Sequence, residues 1–378
     1  MEPKSILDEK NLAGKKVLVR VDWNVPLQSG KVVDDYRIKQ SLATIDFLLN
    51  EGAKVIIICH LETVESLSLK PIAEHLYGRL PLTFCDELLG DKATDAVNKL
   101  EGGKALLLEN LRLDEREKSN DDEFAKALSE HGDIFVNEAF SASHRNHSSI
   151  VGIPKYLPST LGTRFMEEMK ELSKAFYPKK PFLFILGGAK FDTKIPLIEK
   201  FIHIADTIFV GGALAHNFFK EQGKLVGKSL ISEGDFHLKE KLDTGKVMLP
   251  VDACILSAGH IRIDNIDKVR AEDSIVDAGS ETLLMLKEKI NESSVILWNG
   301  PMGNYEKGYK QGTLELAKAL SESGKETIMG GGDTLAAIQE LGIFDKFTFV
   351  STGGGAMLDF LATGTLPGIE AIKKQQKV

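Results

Sequence analysis

The chain carries its clearest structural signal in the segment Pro181-Phe-Leu-Phe-Ile-Leu-Gly187-Gly188-Ala-Lys190-Phe-Asp-Thr-Lys194. An apolar run too short to cross a membrane ends in two glycines, and a helix-like pattern then extends from Lys194 to Ile202. This order indicates a strand, a tight turn and the start of a helix. Glycines let the backbone approach a ligand closely, and the N–H groups that open a helix attract anions. Because Lys190 and Lys194 strengthen that attraction, the segment is typical of a phosphate site.

The same order of strand, glycine turn and helix recurs three times in the C-terminal half. The turns are Gly211-Gly212, Gly330-Gly331-Gly332-Asp333-Thr334 and Thr352-Gly353-Gly354-Gly355. Any one of them could be an ordinary turn that uses glycine to fit. Four such turns after strands predict one glycine-lined surface of phosphate size at the carboxyl edge of a parallel sheet.

The first half of the chain alternates short apolar strands with helices. Strands are predicted at 16–20, 54–59, 104–108 and 133–136, and helical patterns begin at Asp34 and cover 70–80 and 123–131. This alternation predicts a parallel sheet that is covered on both faces. A single amphipathic helix at 165–177 joins the halves, although an ordinary surface helix within one large domain is the alternative.

The predicted fold class is therefore α/β, with two doubly wound parallel-sheet domains joined by a helix and a hinge. The chain of 378 residues is long enough for two cores. The predicted boundaries place one domain at 1–164, the interdomain helix at 165–177, the second domain at 178–363 and a C-terminal segment at 364–378. The residues alone describe 369–378 as a short polar tail.

Composition argues for a soluble intracellular protein. A net charge of −8 disfavours nonspecific attachment to nucleic acid or membrane. The three cysteines are widely spaced, so neither a disulfide framework nor a zinc cluster is indicated. The N-terminal residues lack the apolar core of a signal peptide, which agrees with a cytoplasmic location.

Basic residues of the first half follow the predicted strands, where they would line one crevice. They are Arg20, Arg37, His60, Arg112 and the cluster His144-Arg145-Asn146-His147. Arginine and histidine there suit a small anion with two or three charges. Arg20 and Arg37 could equally be solvated or paired with Asp34 or Asp35. A metal held by His144 and His147 is disfavoured, because no third ligand stands nearby.

The second half adds two candidate carboxylates. Trp298-Asn299-Gly300-Pro301-Met302-Gly303-Asn304-Tyr305-Glu306 brings a strand into a rigid loop, where Glu306 could accept hydrogen bonds from a ribose or simply be solvated. Asp333 is placed to meet Mg²⁺ on a nucleotide phosphate, and a role as helix N-cap would not exclude this. No Gly-x-Gly-x-x-Gly follows a strand, so a dinucleotide enzyme is disfavoured.

Together these motifs resemble the phosphoglycerate kinase family over essentially the whole chain. The matching motifs are Arg20-Val-Asp22-Trp23-Asn24-Val-Pro26, Asp34-Asp35-x-Arg37-Ile38, Leu108-Glu-Asn-Leu-Arg112, His144-Arg145-x-His147, Leu186-Gly-Gly-Ala-Lys190-x-x-x-Lys194, Trp298-Asn-Gly-Pro-Met-Gly303, Gly330-Gly-Gly-Asp333-Thr334 and Ser351-Thr-Gly-Gly-Gly355. Their number and order make the resemblance highly specific.

The resemblance implies 3-phosphoglycerate or 1,3-bisphosphoglycerate on the first domain and Mg-ADP or Mg-ATP on the second. It also implies a C-terminal segment that returns to the first domain, and a monomer. Implied substrate-binding residues are Asp22, Trp23, Asn24, Arg37, His60, Arg112, His144 and Arg145. Implied nucleotide-binding residues are Lys190, Lys194, Gly211, Asn299, Glu306, Gly331, Gly332, Asp333 and Thr334, with Asp333 on magnesium. The implied catalytic groups are Arg37, Lys194 and the backbones of Gly332, Gly353 and Gly354.

The implied reaction fits the residue types present. Phosphoryl transfer depends on alignment and charge stabilisation, and the accepting carboxylate is already ionised at neutral pH. No catalytic base is needed, and the motifs contain no obvious one. A hinge closure would bring the two ligands together and exclude water.

The chain departs from the family after His60. The usual Leu-Gly-Arg-Pro and longer basic loop are replaced by Leu61-Glu62-Thr63-Val64-Glu65-Ser66. We expect this shortened loop to weaken phosphoglycerate binding and to leave nucleotide binding intact, with repulsion from the two glutamates unless they point to solvent. A nucleotide-binding homologue without activity, or a kinase for another acyl phosphate, is the alternative. Retention of Arg37, Lys194 and Asp333 favours the enzyme.

Overall fold

The computed structural model describes residues 3–377, which form two compact units. The first unit contains the chain up to Lys170 together with Thr363 onward, and the second contains Glu171–Ala362. Residues 1, 2 and 378 lie outside the described range. The signal-peptide prediction for residues 1 and 2, and the last residue of the predicted C-terminal segment, therefore fall outside it too.

The first unit is built on a six-stranded parallel sheet with the order β5-β6-β4-β1-β7-β8. Its central strands are buried almost throughout, as expected for a sheet with helices on both faces. Its elements are β1 (Lys16–Arg20), β2 (Leu27–Gln28), β3 (Lys31–Val32), α1 (Tyr36–Asn50), β4 (Lys54–Ile58), α2 (Lys70–His75), β5 (Leu82–Phe84), α3 (Asp91–Lys99), β6 (Lys104–Leu107), α4 (Asp122–Ser129), β7 (Ile134–Asn137), β8 (Ser159–Leu161) and α5 (Thr163–Ser173), whose last three residues belong to the second unit.

The second unit has its own six-stranded parallel sheet, in the order β11-β10-β9-β15-β16-β17. A separate antiparallel sheet is ordered β13-β12-β14. The elements are β9 (Phe182–Leu186), α6 (Phe191–Phe201), β10 (Thr207–Val210), α7 (Leu214–Glu221), α8 (Leu238–Asp243), β11 (Val247–Met248), β12 (Asp252–Ser257), β13 (His260–Asn265), β14 (Ser274–Ala278), α9 (Ser280–Glu292), β15 (Val295–Asn299), α10 (Gln311–Glu322), β16 (Glu326–Gly330), α11 (Gly332–Leu341), β17 (Phe349–Val350) and α12 (Gly355–Thr363).

Strand order reverses at one place in each parallel sheet. In the first sheet the chain moves from β1 to β4 on one side and later returns to place β7 on the other side. In the second sheet β10 and β15 flank β9 in the same way. Because ligands of open α/β sheets bind outside the carboxyl ends of strands at such reversals, the ends of β1 and β7 and of β9 and β15 are the expected binding places.

The structure confirms the predicted α/β class with two parallel sheets and corrects the C-terminal prediction. Residues 367–375 form the helix α13 (Pro367–Gln375), not a polar tail. Ile369 and Ile372 on its inner face are fully buried, and the Gln376 amide donates to the Ser159 carbonyl of the first unit at 2.9 Å. Lysines on the outer face had concealed this narrow apolar stripe in the sequence. Between residues 3 and 377 there is no helix long and apolar enough to span a bilayer.

Candidate active site

The glycine turn after β9 and the loop after β15 lie directly against each other. The Gly187 N–H donates to the Asn299 carbonyl at 2.9 Å, and the Gly188 N–H donates to the Pro301 carbonyl at 2.8 Å. A Cβ atom on Gly187 would overlap the Pro301 carbonyl oxygen, so only glycine permits this approach. The turn after β9 therefore meets the loop after β15 at the strand reversal of the second sheet.

Side chains predicted to bind nucleotide hold neighbouring turns in place. The amide of Asn299, which is 3% exposed, donates to the Gly330 carbonyl at 2.9 Å. The hydroxyl of the fully buried Thr334 accepts from the Gly300 N–H at 3.1 Å. These hydrogen bonds give both side chains a structural role, and nucleotide contact by them remains a prediction.

Four charged groups influence one another at this surface: Lys190, Lys194, Glu306 and Asp333. Lys194 lies in α6, is buried, and donates to the Gly187 carbonyl oxygen. Burial and the charge of Lys190 lower the pKa of Lys194 to about 8, against the opposing charge of Asp333. Asp333 lies in the first turn of α11, and burial together with the nearby Glu306 raises the pKa of its carboxyl group.

The lowered pKa of Lys194 predicts that kcat/KM for the nucleotide depends on pH, with a limb that reports the ionisation of this lysine. Because the ammonium form is the one that attracts phosphate, we expect kcat/KM for the nucleotide to fall as pH rises through about 8, by roughly tenfold per unit above it. Bound polyphosphate favours the ammonium form, so the limb in kcat should lie at higher pH. A pH series at saturating phosphoglycerate measures both, and a Lys194→Met variant that keeps the same limb would assign it to another group.

The remaining predicted glycines differ in what their N–H groups can offer. The Gly353 N–H donates to the Ser351 hydroxyl at 3.0 Å, and the Gly211 N–H donates to the Leu186 carbonyl at 2.8 Å. In this structure these two groups are therefore engaged. Gly354 has φ 54°, which favours glycine, and Gly331 precedes the first turn of α11 with φ 114°. The N–H groups of that first turn have no partner inside the helix and suit an anion.

In the first unit, Arg20 and His60 form a buried pair at the ends of β1 and β4. The His60 Nδ1 lies 3.0 Å from an Arg20 guanidinium nitrogen, and both residues are almost completely buried. Burial and the charge of Arg20 lower the pKa of His60 to about 3. His60 is therefore neutral, and its Nδ1 accepts from the guanidinium.

Asp22 and Arg37 form an ion pair beside this cluster. An Arg37 guanidinium nitrogen lies 2.8 Å from the Asp22 carboxylate, which also accepts from the Ser141 hydroxyl. Burial opposes ionisation of Asp22, but the charge of Arg37 and the hydrogen bond from Ser141 hold its pKa at about 2. Arg37 thus pairs with Asp22, and the alternative partner Asp35 pairs with Lys39.

The neighbouring residues of the same motif are placed differently. Trp23 is fully buried, and its indole N–H donates to the Ser41 hydroxyl at 2.8 Å. Its side chain therefore packs in the core, and contact of this residue with substrate stays a prediction. The Asn24 side-chain oxygen accepts from the Glu62 N–H at 2.9 Å and joins the motif to the shortened loop.

Arg112 is the centre of a charged cluster that also contains Glu117 and His147. Its guanidinium lies 3.7 Å from Glu117, which is fully buried and accepts from the Ser149 N–H and hydroxyl. Burial and the charges of Arg112 and Arg145 lower the pKa of His147 to about 4. Arg145 also lowers the pKa of His60, so the positive charges of this region act on one another. His144 is half-buried next to Arg145.

Sequence reasoning missed Glu117 and Lys118 at this cluster. Both belong to the run Glu115-Arg116-Glu117-Lys118, which resembles an ordinary solvated charged loop. Glu117 nevertheless bonds Ser149, which is far away in the chain, and Lys118 lies 3.1 Å from the carboxylate of Glu62. Only the position of the run just after the Leu108–Arg112 motif could have indicated a role at the site.

A two-unit α/β protein with glycine turns, lysines and a carboxylate on one sheet and a cluster of arginines on the other has the features expected of a small-molecule kinase. The family model of phosphoglycerate kinase matches residues 7–364. The chain is 40% identical to the phosphoglycerate kinase of Finegoldia magna, with 98% of this chain and 100% of that protein covered, and 41% identical to that of Herpetosiphon aurantiacus, with 95% and 96% covered.

Solved structures give the same result. The phosphoglycerate kinase of Pyrococcus horikoshii matches with a TM-score of 0.87 and 30% identity over 99% of both chains. That of Coxiella burnetii matches with a TM-score of 0.83 and 34% identity, covering 98% of this chain and 99% of the other. The chain belongs to the phosphoglycerate kinase family. It is a phosphotransferase of glycolysis that moves a phosphoryl group reversibly between 1,3-bisphosphoglycerate and ADP.

Proposed function

We propose that the nucleotide binds at the reversal of the second sheet, between the turn after β9 and the first turn of α11. The observation that supports this most strongly is the buried ammonium of Lys194, held against the Gly187 carbonyl beside Asp333 and Lys190. A buried cation with only one carbonyl acceptor is costly unless an anion completes its environment. A nucleotide polyphosphate supplies that anion, and the open N–H groups of α11 supply further donors.

The phosphoglycerate belongs, in this proposal, to the basic cluster of the first unit. Asp22 and Asn24 accept from its hydroxyl group, while Arg37, His60, Arg112 and Arg145 surround its charges. His60 and His147 are neutral in the free protein because burial and the positive charges of neighbouring arginines lower the pKa of both rings. A substrate with several negative charges offsets those positive charges, which gives the site its selectivity for a phosphorylated acid.

The donor set at α11 fits Mg²⁺ that is carried by the nucleotide. Mg²⁺ is commonly held by one or two carboxylates plus substrate phosphates, and Asp333 offers one carboxylate beside the proposed phosphate surface. No group of three or more metal-ligating side chains occurs within residues 3–377, which agrees with a metal held partly by substrate. Bound Mg²⁺ would neutralise charge on the phosphates, and Asp333 would hold it there.

The transfer itself is proposed to be direct and in line. Arg37 and Lys194 stabilise the charge of the phosphoryl group in flight, and the Gly332 and Gly354 backbones donate to its oxygens. The carboxylate acceptor needs no base, so the chain's contribution is to orient both ligands and exclude water during the closure that brings them together. We further propose a cytoplasmic monomer without nucleic-acid or membrane partners, on the basis of the charge of −8 and the family resemblance.

Purified protein is expected to form ATP from ADP and 1,3-bisphosphoglycerate only when Mg²⁺ is present. The reason is that Asp333 and the lysines alone leave the nucleotide phosphates incompletely neutralised. A coupled assay with and without a chelator measures this, and an Asp333→Asn variant should need more Mg²⁺ for half-maximal rate. Tight binding of Mg-ADP without turnover at saturating acyl phosphate would refute the assignment of the catalytic residues.

A further inference from the structure

The first residues of the shortened loop are fixed by hydrogen bonds from neighbouring strand ends. The Leu61 N–H donates to the Asn110 side chain at 3.0 Å, and the Asn110 amide donates back to the Leu61 carbonyl at 2.8 Å. The Glu62 N–H donates to Asn24 at 2.9 Å. The backbone at Glu62 therefore has one defined position beside the substrate motifs.

The remainder of the loop closes on itself. The Thr63 hydroxyl bonds both the N–H and the carbonyl of Ser66, and the Asn110 amide also donates to the Leu67 carbonyl at 2.8 Å. Glu109 accepts from the Ser68 hydroxyl at 2.7 Å. These bonds fix the conformation of the loop and direct the Glu62 side chain towards the cluster around Arg112.

One carboxylate oxygen of Glu62 lies between two cations. It accepts from the Arg112 Nε at 2.8 Å and lies 3.1 Å from the Lys118 ammonium. The Arg112 side chain is only 4% exposed, and one of its terminal nitrogens is buried without a hydrogen-bond partner among the described residues. Two cations that converge on a single oxygen define an anion position, and here the chain's own carboxylate takes it.

Glu65, in the same loop, makes no such contact. Its carboxylate accepts from the Gly30 N–H at 3.2 Å, on the other side of the loop. The two glutamates that the sequence placed near the crevice therefore differ. Glu62 faces the anion site, and Glu65 is a matched carboxylate that does not.

We propose that Glu62 is a specificity-determining competitor for the phosphate of phosphoglycerate, and that Lys118 binds this phosphate in place of the arginine that the loop lacks. This inference depends on the proposed substrate site. Arg37 is assigned there to the phosphoryl group in flight, at the carboxyl end of the substrate, so the phosphate at the other end falls to the side of Arg112. The phosphate takes the position of the Glu62 carboxylate, and Glu62, which is 41% exposed, turns to solvent.

The competition persists at every pH at which the enzyme works. Although burial opposes it, pairing with Lys118 and Arg112 lowers the pKa of Glu62 to about 2. Glu62 is therefore ionised near neutral pH and always offers its charge to the two cations. The charge of Glu62 must therefore be removed by substitution, and not by protonation, to leave the anion position free for substrate.

Glu62→Gln is expected to lower KM for 3-phosphoglycerate roughly five- to thirtyfold, with KM for ATP and kcat nearly unchanged. Glu65→Gln, the matched control, should leave all three constants near those of the parent protein. If Glu62 instead serves to orient Arg112, its replacement will raise KM. An unchanged or a raised KM for 3-phosphoglycerate therefore overturns the proposal.

The role of Lys118 is tested by a double-variant cycle. In the Glu62→Gln background, Lys118→Met should raise KM for 3-phosphoglycerate roughly tenfold, whereas in the parent the rise should be smaller because the competitor is weakened too. If Lys118→Met raises KM for 3-phosphoglycerate equally in both backgrounds, or in neither, the proposed exchange of the Glu62 carboxylate for the substrate phosphate is refuted. Titration calorimetry of 3-phosphoglycerate measures the same changes as differences in affinity, without any need for turnover. If no variant turned over, that result would count against the proposed catalytic residues, and the calorimetric test of Glu62 and Lys118 would still apply.

Discussion

Lys194→Met is expected to lower turnover roughly 30- to 1000-fold, which corresponds to about 2–4 kcal/mol of transition-state stabilisation. The ammonium of Lys194 is buried and fixed against the Gly187 carbonyl before substrate binds. A fixed cation interacts most strongly with the charge that the phosphoryl group develops during transfer. The loss should therefore appear mainly in kcat and far less in the affinity for nucleotide.

Methionine is chosen because it retains most of the side-chain volume. Burial of the Lys194 ammonium is unfavourable for folding, as the lowered pKa of about 8 indicates. The methionine variant should therefore be at least as stable to urea as the parent, whereas Lys194→Ala leaves a cavity and should be less stable. Both variants should show the same loss of turnover. Equal losses in nucleotide affinity and in kcat would identify Lys194 as a residue of uniform binding.

The phosphate surface could be predicted from the sequence because its signals are local. A strand, two glycines and a helix start are contiguous in the chain, and parallel strands bring the carboxyl ends of such units to one edge. Lys190 and Lys194 follow their turn within one segment. The placement of Asp333 in the first turn of α11 follows from the glycines before it.

The partners of the charged groups could not be predicted, because they come from distant parts of the chain. Asp22 accepts from Ser141, and Glu62 pairs with Arg112, contacts that depend on strand order and not on spacing. A sequence shows that Glu62 stands near the crevice but not which way it points. The same limit explains Trp23, whose place in a substrate motif concealed that its side chain belongs to the core.

Weak apolar patterns account for the missed elements of the fold. In β13, Ile261 and Ile263 alternate with polar residues as in a strand, but the segment is only 6 residues long and both isoleucines are exposed. In α13 only Ile369 and Ile372 face the core among lysines and glutamines. Both elements are stabilised by contacts with neighbouring elements, and the spacing of apolar residues in one sequence does not reveal such contacts.

Gly300→Ala is expected to destabilise the second unit by roughly 2–5 kcal/mol and to abolish most nucleotide binding. Gly300 has φ 94°, a conformation that costs an alanine about 1–2 kcal/mol. Its added Cβ would also lie 2.5 Å from the Gly187 carbonyl oxygen and 2.6 Å from the Lys194 ammonium. Relief of that overlap must move either the turn after β9 or the cation itself.

Gly308→Ala supplies the matched control, because Gly308 lies in the same loop with φ 85° and its Cβ would meet no atom within 4 Å. The Gly308→Ala variant should lose only the conformational part of the free energy of unfolding, about 1–2 kcal/mol, and should still bind nucleotide. Trp298 lies beside Gly300 and belongs to the second unit, so its fluorescence in a Trp23→Phe background follows the urea unfolding of that unit alone. Equal losses for the two glycines would mean that backbone strain, and not the close approach of the two turns, accounts for the effect at Gly300.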